Sequence, residues 1–315
     1  MIPRVSVIVP TYNRGQYIAQ ALESVFAQTF RDYEIIVIDD GSTDNTQEIL
    51  KNFEGRIRSL YQENQGISKT RNRAIKESTG EFIAFLDSDD FWEPIKLEEQ
   101  VKILDSHPDV GIVYARMPII NENGETIGMK PAGVSGRNFR ELLQVWGDLP
   151  TSTVMTRRVC FEKVGLFEPD LEPMEDIDMW IRIAKFYDLY EVENKILAYY
   201  RRHEEQITQN RSKVYNGLVK IYTKIYNTYP EAPRDIMVRR IVENQYLLAK
   251  EYYTQGFYKN TINNALSAIL RYPLLGFLFI HKDDHWYGKL KKIINPYGLL
   301  IISTIKHVTL GFKKS

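Results

Sequence analysis

The sequence has 315 residues, with 41 acidic and 41 basic side chains and 43% hydrophobic residues. This length predicts about two domains, and the hydrophobic fraction is ordinary for a globular protein. The single cysteine, Cys160, excludes an internal disulfide, and no apolar run reaches the roughly 18 residues that a membrane-spanning helix needs. A strand pattern starts close to the first residue, so we expect no signal peptide before the fold and a cytoplasmic location.

Short apolar runs alternate with segments of helical periodicity along the first hundred residues. Strands are expected at residues 5–9, 34–38, 57–61 and 82–86, and helices at 17–28, 46–53, 66–78 and from 94 onward. This alternation predicts an α/β fold with a mostly parallel, doubly wound sheet flanked by helices. Farther along the chain we expect strands at 110–115 and 151–156, a hairpin turn at 121–124, a helix at 175–186 and an extended segment at 190–200.

The β pattern ends near residue 205, and the rest of the chain has helical spacing at 214–226, 239–253 and 258–270. We therefore expect an α/β domain at 1–205 and a smaller helical C-terminal region at 206–315. Residues 1–200 carry 22 Lys and Arg against 33 Asp and Glu, whereas residues 201–315 carry 19 against 8. The basic half is expected to meet either an anionic surface or the acidic half of the same chain.

Three carboxylates, Asp87, Asp89 and Asp90, directly follow the strand expected at 82–86. Like charges at this spacing repel one another unless a cation shares them. A tight group of hard oxygen ligands suits Mg²⁺ or Mn²⁺. The pattern is therefore typical of a divalent-metal site, the alternative being a solvated acidic loop.

Other polar segments are expected at the same edge of the sheet: the turn at 10–14, the Asp39–Thr43 turn and the Glu175-Asp176 pair. Each alone also has a structural explanation, as a plain turn, a helix cap or an acid complementing a helix dipole. With a metal on Asp89 and Asp90, this edge could hold a diphosphate. Asp176 could then act as a general base on an incoming hydroxyl, which predicts displacement at a carbon bearing a nucleoside diphosphate.

Five segments occur in an order that carries a family resemblance: 10–14, 34–44, 64–72, 85–90 and 175–180. This series resembles the family 2 glycosyltransferases, over residues 4 to about 205. The resemblance implies the GT-A fold, a Rossmann-like sheet, and inverting transfer of a sugar from a nucleotide-sugar, with Mn²⁺ or Mg²⁺. A UDP-sugar is the favoured donor, because the acid matched by Asp40 usually bonds uracil in that family.

The resemblance also assigns roles to individual positions. It places the nucleotide-sugar against Pro10, Thr11, Tyr12, Asn13, Asp40, Arg71, Asp87, Ser88, Arg201 and His203, the metal on Asp89, Asp90 and His203, and the catalytic base at Asp176. Two of these positions also have ordinary interpretations. Arg71, with its neighbours Lys69 and Arg73, could form a solvated helix face, and His203 could be a surface histidine.

Processive members of the family share a Gln-x-x-Arg-Trp motif and several membrane spans, which this sequence lacks. The prediction is therefore a single-addition enzyme of surface polysaccharide, glycolipid or glycoprotein glycan synthesis, acting on a glycan or lipid-linked acceptor. Two alternatives remain: a non-catalytic nucleotide-sugar-binding module, and a phosphotransferase with Asp87 as nucleophile. The second is disfavoured, since that chemistry usually places its acidic motif after the first strand.

The C-terminal region carries lysines and aromatic residues at 280–292, between apolar runs at 273–279 and 297–302. Such a segment suits the surface of an anionic bilayer, where a lipid-linked acceptor would lie. We therefore expect peripheral contact with the inner face of the cell membrane, the alternative being a helical cap on the catalytic domain or on a second subunit.

Overall fold

The structure is a computed structural model and describes residues 2–130, 136, 139–144, 149–203, 206, 210–271 and 303–304. The chain divides into two compact units, residues 1–204 and residues 205–315. Every site residue proposed from the sequence lies in the first unit. The basic segment at 273–302, expected to meet a membrane, lies outside the described residues. No helix in the described part of the chain is both long and apolar enough to cross a membrane.

Eleven described strands belong to the first unit: β1 (Val5–Thr11), β2 (Tyr33–Asp39), β3 (Arg58–Tyr61), β4 (Phe82–Phe85), β5 (Phe91–Trp92), β6 (Val110–Ala115), β7 (Met117–Ile120), β8 (Thr126–Lys130), β9 (Met155–Arg157), β10 (Asp188–Val192) and β11 (Ala198–Arg201). Its described helices are α1 (Ile18–Phe26), α2 (Thr46–Lys51), α3 (Ile67–Glu77), α4 (Lys96–Ser106), α5 (Phe139–Gln144), α6 (Arg158–Val164) and α7 (Glu175–Ala184). The second unit contains α8 (Arg211–Thr228), α9 (Arg234–Thr254) and α10 (Tyr258–Arg271).

Seven strands form the main sheet in the order β10-β6-β9-β4-β1-β2-β3. The pairs β1–β2, β1–β4, β2–β3 and β6–β10 are parallel, as the alternation of strands and helices predicts. Strand β9 is the exception, because it runs antiparallel between β4 and β6. A second sheet has the order β5-β11-β7-β8, with a β7–β8 hairpin around the turn expected at 121–124.

The central strands are apolar on both faces because helices cover the main sheet from both sides. Every residue of β1 is buried, and Val7 lies opposite Ile35 of β2 and Ala84 of β4. Val25 on the apolar face of α1 and Leu104 of α4 join the same core. The parallel register brings the carboxyl ends of β1, β2 and β4 to one edge of the sheet, which is where a ligand site is expected.

The prediction of a strand at 151–156 is wrong for the first half of that segment. Residues Thr151–Thr153 form a short 3₁₀ turn, and the strand β9 begins only at Met155. Residues 151–156 read Thr-Ser-Thr-Val-Met-Thr, which has no alternation of polar and apolar residues that would separate a turn from an extended segment. This turn lies beside the acidic residues described next.

Candidate active site

The turns that follow β1 and β2 are tied together by hydrogen bonds. The amide of Asn13 donates to Ser42 Oγ at 2.8 Å, and the amide of Thr43 donates to Asn13 Oδ1 at 2.8 Å. Asn13 has a φ of 50°, which is unusual for a side-chain-bearing residue, and the two bonds hold it there. Tyr12, next to it, remains 45% exposed. The turn therefore presents an aromatic ring from a fixed backbone.

Two buried polar atoms at the ends of β1 and β2 have no hydrogen-bond partner among the described residues. Thr11 and Asp39 are register neighbours, and both are at most 3% exposed. Within the described residues, Thr11 Oγ1 and Asp39 Oδ2 have no hydrogen-bond partner. Because buried polar atoms are nearly always satisfied, this pair favours a polar ligand at the edge of the sheet.

Asp40 is buried, and its carboxylate oxygens accept three hydrogen bonds from other groups of the protein. Its Oδ1 accepts from Gln62 Nε2 at 2.6 Å and from the amide of Gln65 at 2.9 Å, and its Oδ2 accepts from the amide of Gly66 at 2.9 Å. The carboxylate thus fixes the loop that leads into α3. Each carboxylate oxygen can accept two bonds, so Oδ2 retains capacity for a ligand donor.

Arg71 connects two acidic segments that are far apart in the sequence. Its Nη2 donates to Asp87 Oδ1 at 2.9 Å and its Nη1 donates to Glu175 Oε1 at 2.7 Å. Burial lowers the pKa of Arg71, but the charges of Asp87 and Glu175 outweigh it and raise the pKa above its usual value. The solvated-face alternative is therefore wrong for Arg71, which is 4% exposed, although Lys69 on the same helix is exposed.

The segment from Asp87 to Asp90 has a different environment at each position. The side chain of Asp87 is 33% exposed, whereas Ser88 and Asp90 are buried. Both oxygens of Asp90 are used inside the protein: Oδ2 accepts from Ser152 Oγ at 2.5 Å and Oδ1 from the amide of Arg201 at 3.1 Å. Burial, followed by the charges of Asp89 and Asp87, raises the pKa of Asp90 well above its usual value.

Asp89 faces two cationic or potentially cationic side chains. Its Oδ2 lies 2.9 Å from His203 Nε2 and 3.2 Å from Arg14 Nε. Burial opposes ionisation of Asp89, but the contacts with His203 and Arg14 outweigh it and lower the pKa. His203 is 5% exposed, so the surface-histidine alternative is wrong. Arg201 completes this side of the site, donating to the carbonyl of Asp89 and to Gln20 Oε1.

The Glu175-Asp176 pair opens α7 at the same edge. Asp176 Oδ2 accepts from Thr151 Oγ1 at 3.0 Å, and its Oδ1 accepts from the amide of Ile177 at 2.7 Å. Asp176 is half-buried, whereas Glu175 is 4% exposed. Burial, and next the charge of Asp176, raise the pKa of Glu175 to about 7, while Arg71 acts in the opposite direction.

The donor set suits a divalent ion that is shared with a ligand. In the described part of the chain, no group of three or more His, Cys, Asp or Glu residues is arranged as a complete metal centre. Asp89 and His203 do supply one carboxylate oxygen and one imidazole nitrogen, which are in contact with each other. Mg²⁺ and similar ions are commonly held by one or two carboxylates together with water and substrate phosphates. The site fits that incomplete type of metal site.

Comparison with known proteins identifies the family. The sequence model described as Glycosyl transferase family 2 matches residues 6–165. The chain is 32% identical over 212 residues to the Escherichia coli UDP-Glc:alpha-D-GlcNAc-diphosphoundecaprenol beta-1,3-glucosyltransferase WfgD, covering 66% of this chain and 81% of WfgD. The chain belongs to glycosyl transferase family 2.

Solved structures show that the family 2 domain has the expected GT-A type fold. Staphylococcus aureus TarS 1–349, in complex with UDP-GlcNAc, has a TM-score of 0.61 at 22% identity, covering 85% of this chain and 81% of that chain. The mannosyltransferase PcManGT from Pyrobaculum calidifontis, in complex with GDP-Man and Mn²⁺, has a TM-score of 0.59 at 20% identity, covering 98% and 88%.

The sequence alone does not reveal several residues of the candidate site. The sequence pattern marks Glu175 only together with its neighbour Asp176, and it indicates no role for Gln62, Arg14, Thr151 or Ser152. The one local signal was the Glu175-Asp176 pair itself. The partners of these side chains lie 22 to 104 positions away in the sequence, so no short pattern could reveal them.

Proposed function

We propose that this family 2 protein is an inverting, single-addition glycosyltransferase that moves one sugar from a UDP-sugar to an acceptor hydroxyl. The observation that carries the proposal is the bridge from Asp87 through the buried Arg71 to Glu175. It ties the acids expected to bind the donor to the helix end that bears Asp176. A site that joins donor-binding and base-bearing segments in this way suits transfer better than binding alone.

The nucleoside is proposed to lie at the ends of β1 and β2. Tyr12 offers an exposed ring for the base, and Asp40 offers its remaining acceptor capacity to a base N–H. The unpartnered Thr11 Oγ1 and Asp39 Oδ2 would be satisfied by polar groups of the nucleotide. A base with an N–H beside a carbonyl oxygen, as in uracil, suits a carboxylate acceptor. The half-exposed Asp87 is proposed to meet the ribose.

A divalent ion is proposed to be held by Asp89 and His203, with Asp90 in a supporting position. Asp90 is a weaker candidate than the sequence suggested, because both of its oxygens already accept bonds from Ser152 and Arg201. When bound, Mn²⁺ or Mg²⁺ supplies positive charge that stabilises the departing diphosphate. The contact between Asp89 Oδ2 and His203 Nε2 would have to open for an ion to be held by both side chains.

Asp176 is proposed as the general base. Its carboxylate is half-buried and held by donors on both oxygens. It would take the proton of the acceptor hydroxyl as the oxygen attacks the anomeric carbon from the face opposite the diphosphate. A single displacement of this kind inverts the anomeric configuration. Arg71 holds a counter-charge next to Glu175, so the ionised base is not destabilised by an unpaired neighbouring acid.

The acceptor is proposed to be a glycan on a lipid diphosphate. WfgD is named for transfer to alpha-D-GlcNAc-diphosphoundecaprenol, and it shares 32% identity with this chain. Such an acceptor lies at the membrane surface, which agrees with the peripheral location expected from the sequence. Surface polysaccharide synthesis is therefore the process that we favour.

A donor screen tests the function directly. UDP-Glc, UDP-GlcNAc, UDP-Gal and GDP-Man would each be incubated with Mn²⁺ and a short-chain GlcNAc-α-diphospho-lipid, and nucleotide release and product mass would be measured. We expect a UDP-sugar to give a product one sugar heavier, with an inverted anomeric signal in NMR. Nucleotide binding without release from any donor would instead favour the non-catalytic binding module.

A further inference from the structure

The 3₁₀ turn Thr151–Thr153 lies next to the acidic residues of the candidate site, and its backbone carbonyls are hydrogen-bonded to buried side chains. The carbonyl of Ser152 accepts from Trp92 Nε1 at 2.7 Å, and the carbonyl of Thr153 accepts from Gln100 Nε2 at 2.7 Å. Gln100 is in turn fixed by Lys96 Nζ, which donates to its Oε1 at 2.6 Å. Trp92, Lys96 and Gln100 are each at most 3% exposed. The backbone of the turn is therefore fixed by buried side chains of β5 and α4.

The hydroxyl groups of Thr151 and Ser152 in the same turn form hydrogen bonds with two different acidic segments. Ser152 Oγ donates to Asp90 Oδ2 and accepts from the amide of Asp87 at 3.1 Å. Thr151 Oγ1 donates to Asp176 Oδ2 at 3.0 Å. Because the two residues are neighbours on a rigid backbone, they hold the base at a fixed distance from the segment that carries the donor-binding acids.

We propose that Thr151 is a positioning residue that orients Asp176 for proton abstraction. This rests on the proposed role of Asp176 as the base. With Ile177 N–H on Oδ1 and Thr151 O–H on Oδ2, two donors from different elements define the plane of the carboxylate. These two bonds therefore hold the carboxylate in a defined orientation. Thr151 itself takes no proton from the acceptor.

Thr151→Val tests the proposal, since valine keeps the shape of threonine and removes only the hydroxyl. Initial rates would be measured as UDP release with Mn²⁺ and the UDP-sugar and acceptor selected by the screen above. We expect kcat to fall about ten- to a hundredfold, as for a base that is present but poorly oriented. The KM for the UDP-sugar should stay within about threefold, because donor contacts are untouched.

Two variants make the test specific. Thr151→Ser restores the hydroxyl and should keep kcat within about threefold of wild type. Thr156→Val removes another buried threonine hydroxyl, one that donates to the carbonyl of Gly111 at 2.7 Å within the sheet. It should lower stability without lowering kcat. If Thr151→Val does not fold, Thr151→Ala removes the same hydroxyl and carries the same expectation.

Asp176→Asn, measured alongside, separates the two hypotheses. If Asp176→Asn loses turnover while Thr151→Val retains it within about threefold, the positioning role is wrong and the base assignment stands. If Asp176→Asn itself keeps turnover, both assignments fail. Equal loss in Thr151→Ser and Thr151→Val, or a tenfold rise in donor KM at unchanged kcat, would also overturn the role of the hydroxyl.

Discussion

Arg71 offers the sharpest physical test of the site, because one buried guanidinium neutralises two acids. Replacing it in Arg71→Met keeps an apolar stem of similar length and removes the charge between Asp87 and Glu175. Asp87 is partly exposed and can be solvated, but Glu175 is 4% exposed and has Asp176 next to it. The variant therefore leaves one buried carboxylate without its counter-charge.

Removing one partner of a buried ion pair typically costs about 3–5 kcal/mol. For a unit of this size, that loss lowers the thermal midpoint by roughly 6–20 °C. The cost should depend on pH, because burial and Asp176 already raise the pKa of Glu175 to about 7. Loss of Arg71 should raise the pKa of Glu175 further, because Arg71 acts to lower it. Glu175 is then mostly protonated at pH 6 and needs no counter-charge at that pH. We expect the difference from wild type to be smaller at pH 6 than at pH 8.

Thermal unfolding of the full chain at both pH values provides the assay. Arg58→Met is the matched control, since it breaks an exposed pair with Glu77 and should cost less than about 1 kcal/mol. The double variant Arg71→Met/Glu175→Gln removes both charges and should recover about half of the loss or more. A midpoint for Arg71→Met equal to that of the control, or no recovery in the double variant, would refute the reasoning.

Three further predictions concern turnover, metal and pH. Asp176→Asn should lower kcat by at least about a hundredfold while calorimetry shows unchanged UDP affinity, and turnover within a few-fold of wild type would contradict its role. Excess EDTA should abolish transfer and added Mn²⁺ should restore it, with His203→Ala needing more Mn²⁺ for half-maximal rate; full activity in EDTA would exclude a metal requirement. Lys96 is buried, and burial lowers its pKa well below the usual value. As the pH rises toward the usual lysine pKa of about 10.4, the unfolded state holds more protons at this site than the folded state, so wild type should gain up to about 1.4 kcal/mol of unfolding free energy per pH unit relative to Lys96→Met. A difference in unfolding free energy that stays constant with pH would contradict this.

Local patterns in the sequence were sufficient to predict the sheet and the approximate position of the site. The strands β1, β2 and β4 are short apolar runs that end in polar turns, and such runs are legible without any tertiary contact. Parallel connections then put those turns at one edge. This is why Asp40, Asp87 and Asp89 could be placed at a common edge before the structure was known.

Contacts between distant segments could not be predicted in the same way. The antiparallel strand β9 enters between β4 and β6, and it carries the Thr151–Thr153 turn to the acids. Nothing in the local spacing of residues 151–156 specifies this insertion, because an extended pattern is the same for either strand direction. The prediction of a continuous strand failed separately, because residues 151–153 form a 3₁₀ turn instead of an extended segment.

The sequence by itself determined the family, the alternating α/β fold and the acids that are available for chemistry. Only the tertiary structure decided how those acids are paired. Arg71 joins Asp87 to Glu175, and Asp90 is used by Ser152 and Arg201 inside the protein. The protonation and orientation of a carboxylate depend on burial and on partners a few ångströms away. At this site most of those partners are distant in the sequence. The different environments of the individual acids are therefore determined by the fold.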